Sequence, residues 1–294
     1  MNRRHFLNLS VAGSLAALSN SRSLAALAAD NQYRKHIGLQ IYTLRNQLGN
    51  DEVEATLKAV AEYGYQQVEP YGFPGKSDLI KIAKDQGLAV TSSHFDWDCV
   101  VNPEGDHKVS FDQILEAASA ENIKHLVVPY LVDRNRKTLD DYKQVAENCN
   151  KAAVKAKEAG IQLAYHNHAF EFEPKEDGKC GFDIFVEEFS PEMKFELDVF
   201  WVKAGNHDPV AMIEKLSGRV SQLHLKDLRK GISLPKYNGI QKEDFEELGD
   251  GMIPMEPIIK AAAAAGVDNC HIEQDHSPAP LDSIKKSIGY LQTL

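Results

Sequence analysis

Residues 156–166 read AKEAGIQLAYH. An alanine-rich helix end runs into Gly160, and a short apolar run follows that finishes on a histidine. Glycine readily takes the left-handed conformation that closes a helix, so this is the punctuation of a helix passing directly into a strand. The unit returns at 61–69 (AEYGYQQVE), 83–94 (AKDQGLAVTSSH), 118–128 (ASAENIKHLVV) and 262–273 (AAAAGVDNCHIE). Its strands are mostly apolar throughout, as parallel strands are when helices cover one side and a packed interior the other. Eight such strands are predicted, near 37–42, 67–69, 89–94, 125–130, 161–168, 194–199, 220–226 and 270–273, with amphipathic stretches between them. Eight strand–helix units point to an α/β fold of the (β/α)8 TIM-barrel kind, as a single domain over 29–294. A nucleotide-binding open sheet would place a glycine-rich loop after its first strand, whereas this chain has TLRNQLGN at 43–50.

The first 28 residues read as an address rather than as fold. Arg3 and Arg4 precede Phe6-Leu7, a mildly apolar stretch follows over 11–18, and Ala26-Leu27-Ala28 supplies a small-x-small cleavage site. This is the layout of a secretory signal of twin-arginine type, and it predicts a periplasmic or extracellular protein. The apolar run is shorter than the roughly 20 residues of a membrane span, so no membrane association is expected after cleavage. The formal charge of −10 repels phosphate backbones and argues against nucleic acid as a partner. Four cysteines, at 99, 149, 180 and 270, form no CxxC and read as no zinc or redox motif. The composition leaves a homo-oligomer open.

Catalysis in such a barrel sits at the C-terminal ends of the strands, and there this chain concentrates histidines and acids. The second strand ends at Glu69 and the third at His94. The fifth carries His166 and His168 and is followed by Glu171. The sixth, FELDVFW, brings Asp198 and Trp201. The seventh, QLHLKD, brings His224, Lys226 and Asp227, with Arg229 just beyond, and the eighth, HIEQD, brings Glu273 and Asp275. Converging charges inside a barrel need partners, and a shared cation is the simplest one. His166 and His168, two apart on a strand, face the same way, and either could be its ligand from that strand. Imidazole with carboxylate suits one divalent ion, Mn, Co, Fe, Zn or Ni more than Ca, with Mg also in range. A sugar carbonyl and a neighbouring hydroxyl could fill its open positions.

With GLQIYTLR, VEPYG, LAYHNHAFEF, FELDVFWVKAG, QLHLKD and HIEQD on successive strands, the chain resembles the xylose-isomerase-like sugar isomerase/epimerase superfamily, in a branch that is often exported. The resemblance covers essentially all of the chain after the signal. It implies a metal held by Glu, Asp, His and Glu on strands five to eight. The last three fall on Asp198, His224 and Glu273, and the first falls on His166, a departure from the glutamate. Members similar to inosose dehydratases show a YHHH run there. The substitution bears on mechanism, because the epimerases of the family set one carboxylate on each face of the sugar. Glu273 remains as ligand and base, and the second acid–base group would be Glu171, His168 or Lys226. Glu69, His94, Trp201 and Arg229 are the expected substrate contacts.

The first functional expectation is therefore metal-dependent isomerisation or epimerisation of a small sugar, by proton abstraction next to a carbonyl. The alternative is a lyase acting on a 3-keto-glycoside, or a keto-inositol dehydratase, which begins with the same abstraction. A non-catalytic sugar-binding barrel is the expectation from another class.

Overall fold

The computed structural model describes residues 36–49 and 52–294, so the signal segment expected at 1–28 lies outside the described residues. Eight parallel strands form one sheet: β1 (Gly38–Gln40), β2 (Gln67–Glu69), β3 (Ser92–His94), β4 (His125–Val128), β5 (Gln162–His166), β6 (Lys194–Asp198), β7 (Val220–Leu225) and β8 (Asn269–Ile272). Their order is β2-β1-β8-β7-β6-β5-β4-β3. The two ends meet through a parallel bridge between Gln67 and Ala89, where Val68 N–H donates to the Ala89 carbonyl at 2.9 Å. Eight parallel strands closed in this way, with helices between them, make a (β/α)8 TIM barrel.

The repeated sequence unit closes its helices as read. After the helix Leu139–Glu158, Gly160 stands at φ 72°. Ile161 N–H donates back to Ala156 O at 2.8 Å, and Gly160 N–H to Lys157 O at 2.9 Å. These paired bonds take up carbonyls the helix end would leave unpaired. Leu88 bonds Ala83, Ile123 bonds Ala118, and Val267 bonds Ala262 in the same way. Asn122 does at φ 60° what glycine does elsewhere.

Two local differences from the sequence expectation matter for the site. The strand expected to run to residue 199 stops at Asp198, and a six-residue helix, Val199–Ala204, begins at once. Asp198 is its cap, because an aspartate oxygen satisfies the free N–H groups at a helix start. An antiparallel ribbon, Asp227–Leu228 with Phe245–Glu246, extends the seventh connection. It is held by Asp227, whose carboxylate accepts N–H bonds from Gly249, Gly251 and Ile253 at 2.9–3.0 Å.

Alternation along the strands sorts side chains between two layers. On β6, Phe195 packs outward on Phe182 and Phe189, while Glu196 and Asp198 are wholly buried on the other face. The barrel interior is therefore polar for much of its height, with Gln40, Glu69, Glu196, Gln222, His224 and His271 all at 0% exposure. Gly38 makes room for this lining: a Cβ there would sit 2.2 Å from the His271 ring. All four cysteines are buried free thiols. Among the described residues no helix is long and apolar enough to cross a membrane.

Candidate metal centre

Asp198 is the pivot of the site. Its Oδ1 accepts the N–H groups of Phe200 (2.9 Å) and Trp201 (3.1 Å). That cap fixes the carboxylate, and Oδ2 is left buried with no hydrogen-bond partner among the described residues. Burial pushes this carboxyl up to about 6, against the pull of Lys226. The Lys226 ammonium lies 3.1 Å from that oxygen without hydrogen-bonding it, and a divalent ion would satisfy the buried carboxylate more fully.

The expected partners are there. One ligand atom each from His166, Asp198, His224 and Glu273 lies within 4.8 Å of the others, a spread that a single ion with bonds of about 2.0–2.2 Å can draw together. His166 turns Nε2 toward Asp198 Oδ2 (3.7 Å), and His224 turns Nδ1 toward Glu273 (2.9 Å). The rear nitrogens face carboxylates. His166 Nδ1 lies 3.2 Å from Glu196, and His224 Nε2 lies 2.7 Å from Glu69 and 3.2 Å from Glu196. A carboxylate behind an imidazole fixes its orientation and tautomer and raises its basicity as a ligand.

Two other buried donor groups are as tight, His94–His166–Glu196–His224 and Glu69–Glu196–His224–His271, besides an all-carboxylate group near the surface, Glu246–Glu247–Asp250. The Asp198 group is the better functional centre for two reasons. It contains the buried oxygen that accepts no hydrogen bond, and it alone of the three buried groups brings a carboxylate, Glu273, to a cavity of about 400 Å3; the His94 group reaches that cavity only through His94 and His166, and Glu69, Glu196 and His271 do not line it.

Lys226 closes the rim. Its ammonium lies 2.7 Å from Glu273, 2.8 Å from Asp275 and 3.1 Å from Asp198. It pairs with these three and leaves Asp227 to the ribbon. Burial opposes its charge, but the three acids outweigh burial and hold it charged. Burial also raises Glu273, yet Lys226 and His224 bring it below the usual carboxylate range. His166 and His168 go the other way: burial pushes both well below the ordinary imidazole value, and nearby cationic groups, including Lys226, add to it. Both rings are neutral near pH 7. His94 and His168 line the cavity with Lys226 and Asp275.

Four expected site residues are placed outside the cavity lining. Glu69 lies under the centre, with its oxygens on Ser92, Gln40 and His224; it supports ligands and does not reach the cavity. Glu171 is wholly buried. Its Oε1 accepts the Tyr165 hydroxyl at 2.5 Å and its Oε2 the His168 N–H at 2.8 Å. Burial pushes it up to about 8, and it holds the turn that presents His168. Arg229 is tied to Asp244 Oδ1 (2.7 Å) and the Glu243 carbonyl (3.0 Å), so it staples the ribbon. Trp201 packs beside His168, with ring centroids 5.0 Å apart, and stands behind the cavity wall. Glu196 was not singled out from the sequence, although its place two residues before Asp198 sets it on the same strand face.

Residues 57–294 match the family model of the xylose isomerase-like TIM barrel. An inosose dehydratase of Clostridium perfringens is 28% identical over 165 residues, 52% of this chain and 54% of that protein. The match thus spans about half the length of that relative. An inosose dehydratase of Mesomycoplasma hyopneumoniae is 25% identical over 276 residues, 84% of this chain and 91% of that one. A sugar phosphate isomerase/epimerase from Parabacteroides distasonis, solved as a crystal structure, is 28% identical with a TM-score of 0.68, covering 88% of this chain and 93% of that one.

Proposed function

Since the chain belongs to the xylose isomerase-like TIM-barrel family, we propose that it is a divalent-metal-dependent enzyme that removes a proton next to the carbonyl of a keto-sugar or keto-polyol and expels a neighbouring oxygen substituent. The ligands are His166, Asp198, His224 and Glu273. When bound there, the ion supplies Lewis acidity to the substrate carbonyl.

One observation carries the choice of elimination. The acids that line the cavity, Glu273 and Asp275, both come from the end of β8, while the β5 side offers the neutral imidazoles of His166 and His168. A two-carboxylate epimerisation wants an acid on each face of the sugar. An elimination wants one base and a way to protonate what leaves. Glu273 takes the proton from carbon, and the Lys226 ammonium beside it steadies its charge and that of the substrate oxygen. The proton that Glu273 removes returns to the departing oxygen, which leaves as water or as the aglycone's hydroxyl compound; neutral His168, held by Glu171, is the relay that accepts that proton and hands it on. The likeness to inosose dehydratases supports this reading.

Isomerisation or epimerisation is the second reading, favoured by the Parabacteroides neighbour that matches over nearly its whole length. The twin-arginine-type segment supports action outside the cytoplasm on sugars without phosphate, which fractionation of the expressing cells checks.

The deciding test is proton NMR in D2O, with metal-loaded protein and either a keto-inositol or a 3-keto-glucoside. Loss of water or of the aglycone is the expected outcome. Deuterium uptake with the carbon skeleton and substituents intact would move the assignment to isomerase or epimerase. No exchange with either compound would sink the enzymatic reading.

A further inference from the structure

The cavity is divided by chemistry and by position in the chain. Its polar side comes chiefly from β5, β7 and β8, as His166, His168, Lys226, Glu273 and Asp275. Its other side is aromatic and comes from the connections after β1 to β4, as Tyr42, Tyr71, Phe95, Trp97 and Tyr130. In a ring ordered β2-β1-β8-β7-β6-β5-β4-β3, these connections belong to one half of the mouth and the donor strands to the other.

The aromatic side is built, not incidental. Tyr42 and Tyr71 meet edge to face, with centroids 5.2 Å apart. The Arg45 guanidinium lies 4.3 Å from the Tyr42 ring centre, bonds the Tyr42 carbonyl at 2.9 Å, and bonds the Asp275 carbonyl at 2.7 Å. The platform is thereby fastened to the strand end that carries Glu273. Tyr42 is nonetheless 38% exposed, one of two large apolar side chains so exposed among the described residues. The other, Val154, lies on an outer helix.

A volume of about 400 Å3 falls among pockets of roughly 300–1,000 Å3 that enclose drug-sized ligands, more than one pyranose or inositol ring fills. We infer that this site takes a two-ring substrate: a keto-sugar ring on the polar side and a planar or apolar aglycone ring against Tyr42, Tyr71, Trp97 and Tyr130. The inference rests on the reading above for the sugar ring, and names the class of substrate as a glycoside with a ring-bearing aglycone.

The test uses the full metal-loaded protein and calorimetric titration with phenyl β-D-glucoside and methyl β-D-glucoside, which differ only in the aglycone. The phenyl compound is expected to bind about tenfold more tightly, the order of one or two good ring contacts. Tyr42→Ala and Trp97→Ala should each bring that ratio to about two or below while leaving the methyl glucoside within about twofold. Tyr42→Phe should keep the ratio, and circular dichroism confirms that each variant is folded. Equal binding of the two glucosides by the unsubstituted protein overturns the inference. So does an equal loss of both in the variants, which would mean that a single sugar ring stacks on the aromatics. Exchange of a keto-inositol proton with no phenyl preference removes this inference alone; phenyl preference without exchange removes the enzymatic reading alone.

Discussion

Glu171→Gln has an effect that the structure sets in both size and sign. The carboxyl is fully buried and pushed by burial from 4.5 up to about 8. In the unfolded chain it ionises at its ordinary value, so between these two points the folded protein keeps a proton that the unfolded chain has lost. The stability this provides is complete below the unfolded value, declines as pH rises toward 8, and is level beyond. At ~1.4 kcal/mol per pH unit the full span is about 5 kcal/mol, of which about 4 kcal/mol falls between pH 5 and 8. Glutamine has the same shape and does not titrate. Its carbonyl accepts from His168 N–H, and its amide can donate to the Tyr165 oxygen. Urea unfolding of both proteins at pH 5, 6.5 and 8, taken as a difference, cancels the other titrating groups. The unsubstituted protein should lose about 4 kcal/mol relative to the variant across that range, and at pH 6.5 its infrared spectrum should carry a protonated-carboxyl band that the variant lacks. Parallel stability profiles, together with no such band, would refute the assignment of Glu171 as a neutral buried acid.

Asp198→Asn removes the charge from an oxygen that accepts no hydrogen bond and lies 3.1 Å from the Lys226 ammonium; bound metal measured by mass spectrometry should fall by tenfold or more at fixed free ion, with proton exchange lost in parallel. Glu196→Gln acts from behind the imidazoles of His166 and His224 and should weaken metal binding by about 10–100-fold without abolishing it. Lys226→Met leaves Asp198, Glu273 and Asp275 facing one another without their ammonium; destabilisation of about 3–5 kcal/mol is expected in chelator, largely reversed when a divalent ion is added. A Lys226→Met protein as stable as its parent in chelator would remove the counter-charge role.

The fold was legible because its punctuation is local. Gly87, Asn122, Gly160 and Gly266 close helices within a few residues of themselves, and the strands they release are too short to be anything else. The proposed ligand set was drawn from a similar signal, since His166, Asp198, His224 and Glu273 stand at or beside the ends of consecutive strands, and their donor atoms gather within 4.8 Å of one another. What escaped the sequence depends on depth and direction. Glu69 and His94 both end strands, yet Glu69 is sealed beneath the ligands while His94 opens on the cavity. Glu171 and Arg229 carry the right charges near the right motifs, but the backbone turns them toward Tyr165 and Asp244. Glu196 sat one alternation below Asp198 and lacked any motif of its own. The aromatic side of the cavity is scattered over residues 42–130, and only the closing of the ring gathers it.

Because the donors fall almost entirely after residue 160 and the aromatic wall before residue 131, reactivity and appetite can drift apart over evolutionary time. Duplicated copies could diverge at positions 42, 71, 97 and 130 alone and acquire different diets with the same chemistry. A mutant library confined to those four codons samples the same freedom at the bench, with every coordinating side chain left in place.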